Sequence, residues 1–536
     1  MGGRPRTAPV LVGREGELAE LLAGLDDAVA GTGRLFLLAG DPGIGKSRVA
    51  DEVAARARDL GIKVAWGRCW EAGGAPAYWP WVDSLRDCVR GLGSEELRTY
   101  LGPGARFMAQ IVPEIAEILP DVRPLPPMGA EGDRFRLFDA VAAFLRNAGA
   151  VQPLMLVLDD LHAADTPSIL LLRFAARAVQ DARVLVVGAY RDIELDRDHP
   201  LTVALAELSR EPAARHLRLP GLTPAGVGRM IRQTAGVMPG ESVVAAVHQC
   251  TEGNPLFVGE VVRLLAAEGR LERADDPARL RLVIPEGIRE VIGRRLARLS
   301  PRCGEVLGLA SVFGRDFSLP PLERLSGICA GELLDILDEG IAARMVAEVP
   351  GAPGELRFAH VLFRDVIYER IPAGQRLRLH QRVGEVLEEF YQENLDPHLA
   401  ELAHHSCQAA PGGDVGKAVS YAERAGRRAM TLLAYEEAAR LFRMALAVLA
   451  LGQLPGEDRV RCRLLPESQV VQGQRVQRRL HGSRSGIPFR CPGRDLRAAG
   501  DPHPGRQRRG VAAGRRPDSG YCRAGWRGSG LDGQVH

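Results

Sequence analysis

The sequence predicts an α/β core built on a parallel sheet, followed by helical modules, one of which carries a β-hairpin. Three observations point there. Short apolar runs at RLFLLA (34–39), KVAWG (63–67), LMLVL (154–158), VLVVGAY (184–190) and HLRL (216–219) alternate with stretches of helical periodicity. Strands separated by helices imply parallel neighbours covered on both faces. After Leu219 strand signals become rare, except at MVAEV and LRFAH around the turn GAPGE, and residues 373–455 are helical and amphipathic.

Residues 1–220 hold the core. Its first strand runs into GDPGIGKS (40–47) and then into SRVADEVAARARDLG, whose apolar positions recur at helical spacing. This is a full G-x-x-x-x-G-K-[ST] between a strand and a helix, the phosphate-binding loop of a P-loop NTPase. Gly40, Gly43 and Gly45 permit the tight turn. The loop Gly40, Asp41, Pro42, Gly43, Ile44, Gly45, Lys46 and Ser47 is expected to hold ATP or ADP through its N–H groups and the helix N-terminus behind it. Lys46 should reach the β- and γ-phosphates, and the Ser47 hydroxyl should ligate Mg²⁺. Only Lys46, Lys63 and Lys417 stand against 67 arginines, so a lysine retained at this position is informative: a compact ammonium fits between phosphates where a planar guanidinium does not.

A second acidic group must help hold Mg²⁺, and LMLVLDDLHAAD (154–165) ends an apolar strand in two of them. Asp159 is the expected Mg²⁺ partner, mainly through water. Asp160 is placed to orient or deprotonate the attacking water, with a helix N-cap as the structural alternative. Arg191, after the VLVVGAY strand, is a candidate γ-phosphate sensor or equally a surface ion pair.

Thr223-Pro224 supplies an N-cap and a first-turn proline for a helical lid over 221–284. Residues 285–372, helices plus the hairpin, read as a winged-helix unit. In 373–460, Ala438, Phe442 and Ala445 match the spacing of a tetratricopeptide second helix, a pattern that ordinary helix packing also produces. Residues 461–536 hold 16 Arg, no Lys and 5 acidic residues, a net of +11 that leaves about −8 for residues 1–460. With Arg and Gly making 29 of those 76 residues, the tail reads as disordered or as sequence translated out of its original frame. The acidic balance before it argues against a surface that coats nucleic acid.

No apolar run is long enough to span a membrane, no signal peptide is visible, and nine cysteines are scattered without CxxC pairs. A cytoplasmic protein with reduced thiols is expected. Trp66, Trp70, Trp79 and Trp81 are read mainly as packing for an irregular loop, with ligand stacking as the alternative; His404-His405 is read as helix surface.

LVGRE (11–15), GDPGIGKS, LVLDDLHAAD, AYRDIEL and GNPLF (253–257) together resemble the Orc-like AAA module of STAND signal-transduction ATPases, and most closely the large ATP-binding regulators of the LuxR family. The resemblance covers about residues 10–455. It implies that Val12, Gly13 and Arg14 lie near the adenine, that Pro255 closes the nucleotide pocket from the lid, and that His360 in FAHVLFRD faces the bound diphosphate, the commoner reading of such a residue being a core histidine satisfied by backbone. It further implies a nucleotide-dependent switch in transcriptional regulation, with slow hydrolysis, helical repeats that sense an inducer or partner protein, and ATP-dependent self-association. Ala163 stands where the family has Trp. Regulators of that family end in a DNA-binding helix-turn-helix, and nothing after residue 461 has its periodicity; the expectation is a truncated form in which DNA binding is doubtful. A replication-type DNA loader resembling the Orc group is the alternative.

Overall fold

Five strands, β1 (Arg34–Ala39), β2 (Lys63–Arg68), β3 (Leu154–Asp159), β4 (Val184–Tyr190) and β5 (Ala214–Arg218), form a parallel sheet in the order β2-β3-β4-β1-β5. The structure is a computed structural model that describes residues 11–451 apart from 71–72, 124–130, 193–194, 196–197, 268–286 and 350–351, together with residue 464. These described residues belong to one compact unit. The expectation for the tail, Leu464 aside, falls outside them.

Every residue of β3 and β4 is buried, which is why both read as uninterrupted apolar runs. Alternation along β1 divides the core. Leu35 and Leu37 pack on one face with Leu156 and Leu158, while Phe36 and Leu38 pack on the other with Met155, Val157, Leu185 and Val187. Truncating one of these fully buried leucines to alanine should cost about 2–5 kcal/mol. The register pairs Ala39 with Tyr190 and Arg68 with Asp159, so the phosphate loop, Arg68, Asp159 and Arg191 all emerge at the carboxyl edge, where ligands of open α/β sheets bind. β5 begins two residues before the HLRL run and stops one residue short of the end of that run.

After β5, Thr223 caps the helix Pro224–Ala235 by accepting a hydrogen bond from the Gly226 N–H at 3.2 Å, as its sequence predicts. Helices Glu241–Thr251 and Pro255–Ala267 complete the described part of this segment. The next segment runs helix (Ile288–Leu296), helix (Pro301–Phe313), β6 (Asp316–Ser318), two helices, β7 (Val346–Glu348), β8 (Glu355–Phe358) and helix Val361–Glu369. The expected hairpin is β7-β8, but β6 adds a third antiparallel strand in the order β6-β8-β7. Three residues, Asp-Phe-Ser, are too few to show an alternating pattern in sequence.

Helices Ala373–Phe390, Leu399–Ala409, Val415–Thr431 and Tyr435–Leu449 then pack each against the next. Ala438, Phe442 and Ala445 are all buried, and the Phe442 ring lies where a Cβ on Gly426 would stand, 2.5 Å away. The reading of His404-His405 as helix surface is overturned: His405 is buried and His404 half-buried, because the helix Leu399–Ala409 is covered on both sides by its neighbours. Among the described residues no helix is long and apolar enough to cross a membrane.

Candidate functional site: a phosphate loop at the meeting of three segments

Gly45 N-caps the helix Lys46–Asp59 in the left-handed region (φ 103), a conformation that glycine adopts without strain. Gly43 (φ 81) is constrained twice, since a Cβ there would stand 2.8 Å from Leu256 and 3.0 Å from Asn254 Oδ1. Lys46 Nζ donates to the carbonyls of Gly40 (2.8 Å) and Asp41 (3.1 Å). Burial pushes its ammonium pKa down against the pull of Asp160, so a second anionic partner such as a phosphate would be strongly bound by it.

The Ser47 hydroxyl donates to Asp159 Oδ2 at 2.8 Å. The two side chains come from either side of β4, one opening the helix after β1 and the other ending β3. Burial, then the neighbouring Asp160, raises the Asp159 carboxyl. A hydroxyl and a buried carboxylate in contact form a hard oxygen donor set that fits Mg²⁺.

Asp160 occupies the left-handed region (φ 58) and its side chain makes no capping bond to the short helix after it. The N-cap of the next helix is Asp165, which accepts from the Ser168 N–H at 2.9 Å. Asp160 thus stands at the N-cap position of the short helix after it without a side-chain capping bond. Its carboxylate instead meets Arg315 at 2.7 Å and Arg191 at 4.0 Å. Arg191 is itself buried, which removes the surface-ion-pair alternative for it.

The segment around Pro255 touches the loop directly. Asn254 Nδ2 donates to the Pro42 carbonyl (2.9 Å), its Oδ1 accepts from the N–H groups of Leu256 and Phe257, and the Leu256 N–H donates to the Gly43 carbonyl (3.2 Å). From the third segment come Arg315, Arg357 (paired with Asp316) and His360. His360 Nδ1 accepts from the Leu362 N–H at 3.2 Å, capping helix Val361–Glu369. Burial, with Arg315, Arg191 and Lys46 nearby, holds this imidazole at about 3, far below its ordinary value, and therefore neutral.

Ser47, Leu256 and His360 line one cavity of about 480 Å³ together with the charged groups. Lys46, Arg48, Arg68, Arg191, Arg263, Arg315 and Arg357 face it against Asp51, Asp159 and Asp160, an excess of positive charge at a helix N-terminus that suits a polyphosphate. Pro255 and Trp66 also line it, and Arg68 lies 4.9 Å from the Trp66 ring. Trp81, by contrast, is core, with its indole N–H donating to the Ser168 carbonyl, and Trp70 and Trp79 pack edge to face at 6.4 Å. Arg14 is buried below the loop, donating to the carbonyls of Ile44 (3.1 Å) and Pro220 (2.6 Å); Val12 and Gly13 precede it, and none of the three lines the cavity.

Sequence reasoning missed Arg315, Arg357, Arg68 and Asn254. Only Asn254 had a signal, its place inside GNPLF; the three arginines are far apart in a chain with 67 of that type.

Residues 10–187 match the AAA ATPase domain family. An uncharacterized protein of Rhizobium meliloti is 25% identical over 480 residues, covering 84% of this chain and 43% of its own length, so the chain spans less than half of that curated relative. Among solved structures, similarity extends to a signal transduction ATPase with numerous domains (STAND) that carries a tetratricopeptide repeat sensor, from Pyrococcus horikoshii: 15% identity, 83% of this chain and 65% of that one, TM-score 0.43. The Orc1 protein of Aeropyrum pernix in complex with DNA is similar at 17% identity, with 69% and 95% of the two chains covered and a TM-score of 0.27. By the family match alone, residues 10–187 carry an AAA ATPase domain, which implies nucleotide binding.

Proposed function

We propose that this chain is a regulatory ATPase of the STAND type, in which ATP and ADP set the position of residues 285–372 over the phosphate loop. The observation that carries the reading is the Asp160–Arg315 contact at 2.7 Å, which joins the acid at the end of β3 to a residue 155 positions away on a different segment. We read residues 221–284 as the lid, 285–372 as a winged helix and 373–460 as tetratricopeptide-like repeats that receive an inducer or partner protein. Transcriptional regulation and ATP-dependent self-association belong to the same proposal.

Lys46 exchanges its two carbonyl contacts for phosphate oxygens. Ser47 and Asp159 would hold Mg²⁺, which would supply the charge that screens the phosphates. ATP differs from ADP by the charge of the γ-phosphate, and Arg191 and Arg315 are the guanidinium groups whose partner would change with it. A ligand shifts an equilibrium only through such differential contacts. While Arg315 occupies the Asp160 carboxylate, that group is not free to orient an attacking water, in keeping with slow hydrolysis.

The test is mass by light scattering for the parent and for His360→Ala, each with ADP and with ATP plus Mg²⁺. The parent should associate with ATP and not with ADP, and the variant should associate without ATP. Four identical masses, with nucleotide binding confirmed, would reduce the chain to a simple ATP-binding domain.

A further inference from the structure

Away from the phosphate loop, three imidazoles converge among the helices that follow it. His380 belongs to helix Ala373–Phe390, and His404 and His405 to helix Leu399–Ala409. One nitrogen from each ring lies within 4.8 Å of the others. His380 Nδ1 faces His405 Nδ1 at 2.9 Å, and His380 Nε2 is held by the Tyr368 hydroxyl at 2.8 Å. His380 and His405 are buried and His404 is half-buried. The two facing ring nitrogens share one proton, whose place a cation bound by both lone pairs could take.

We propose that His380, His404 and His405 bind a divalent transition-metal ion of the zinc class. Two nitrogens bonded to a tetrahedral zinc at about 2.05 Å are about 3.3 Å apart. The His380–His405 pair therefore has to widen by only a few tenths of an ångström, and the third nitrogen has to close by about 1.5 Å at most. Imidazole donors select Zn²⁺, Co²⁺, Ni²⁺ or Cu²⁺ over Mg²⁺ and Ca²⁺, which prefer oxygen. Three protein ligands leave a fourth position for water.

Tyr368 supplies the outer contact that such sites need. With His380 Nε2–H donating to the Tyr368 oxygen, the lone pair is fixed on Nδ1, the nitrogen that faces His405. The position of His404 is set independently: its ring occupies the space a Cβ would take on Gly73, 2.9 Å from Nδ1, and its own Cβ does the same at Gly74 (2.8 Å). The charged groups that act on the three rings are Arg364, Arg376 and Arg440. All are positive and oppose a cation, so binding should be weaker than in a thiolate-rich structural zinc site.

The site also has a mechanical address. Tyr368 lies on the helix Val361–Glu369 that His360 caps at the nucleotide cavity, and Gly73–Gly74 follow β2 of the ATPase core. A bound ion would therefore pin the 373–409 helices to both.

The experiment uses the full chain, freed of metal with a chelator and kept free of nucleotide so that the phosphate loop does not hold the probe. Titration with Co²⁺ alone should give one equivalent of bound ion with the visible absorption of a low-symmetry nitrogen-ligated site, displaced by Zn²⁺, and Zn²⁺ should raise the thermal midpoint. His404→Gln, at the half-buried position, should fold and lose the spectrum and the thermal shift. Tyr368→Phe should keep the spectrum with affinity lowered about 10- to 100-fold. His405→Ala should behave as His404→Gln; if it does not fold, the other two variants decide. No Co²⁺ spectrum in the parent, or a spectrum and thermal shift that persist in His404→Gln, would overturn the assignment and leave a hydrogen-bonded histidine chain.

Discussion

Replacing Arg315 by alanine removes the guanidinium that meets Asp160 at 2.7 Å, in a pair whose side chains are only 19% and 8% exposed. Two unit charges about 4 Å apart at an effective dielectric constant near 20 attract by about 4 kcal/mol before desolvation. Desolvation offsets part of this, and Arg191 at 4.0 Å stays behind as a second partner for Asp160. A coupling of about 1–3 kcal/mol remains, or roughly 5- to 150-fold in a local opening equilibrium. The assay is hydrogen exchange in the β6-β8 pair, which follows Arg315 directly and includes the Phe358 N–H bonded to the Arg315 carbonyl at 2.9 Å. Exchange is compared in the parent, Arg315→Ala, Asp160→Asn and the double variant, without nucleotide. Asparagine is chosen because it tolerates the left-handed backbone of Asp160 (φ 58). Each single change should speed exchange there, and the double variant should add little. Effects that sum to within about 0.5 kcal/mol would show that the two side chains do not hold the segments together.

Lys46→Ala should abolish binding of a fluorescent ATP analogue, by at least about 10- to 100-fold, since it removes a charge-assisted contact to phosphate; unchanged affinity would contradict the assigned role. Asp160→Asn should bind ATP like the parent yet turn it over about 10²- to 10⁴-fold more slowly, and equal turnover would remove Asp160 from the chemistry. His360 is held at about 3 in the folded chain by burial and by Arg315, Arg191 and Lys46, so the unfolded chain takes up a proton first as the pH drops. Stability present above pH 6.5 is then lost progressively towards pH 3, at about 1.4 kcal/mol per pH unit for one such group. The fall of thermal midpoint between pH 7 and pH 5 should be shallower in His360→Ala, and parallel curves would show that His360 is not the titrating group.

Much of the core was legible because its signals are local. Strands β1 and β4 coincide with RLFLLA and VLVVGAY, and the strand–loop–helix context of GDPGIGKS places Lys46 and Ser47 without any tertiary information. Asp159 followed from the same logic, as the acid at the end of a buried strand. Arg315 did not, because what gives it meaning is a partner 155 residues away, and in a chain this rich in arginine the residue type itself carries little information. The histidine group was misread for a related reason. His404 and His405 adjoin on one helix, but His380 comes from another, and no spacing rule in sequence connects 380 with 404. The Asp160 alternatives were separable only by geometry, since a capping acid and a guanidinium-bound acid look alike until the partner is seen.

Gly43 falls at one of the four unspecified places in G-x-x-x-x-G-K-[ST], where the motif tolerates any residue. In this chain the place is not free, because the Leu256 side chain sits 2.8 Å from where a Cβ would be and the Leu256 N–H binds the Gly43 carbonyl. A bulkier residue there would leave the motif formally intact while wedging the 254–257 segment away from the loop. The phosphate loop thus has two audiences: the glycines and lysine of the motif address the nucleotide, and Gly43 addresses the protein. Homologous loops could therefore be interchangeable as nucleotide binders and still not be interchangeable as signals.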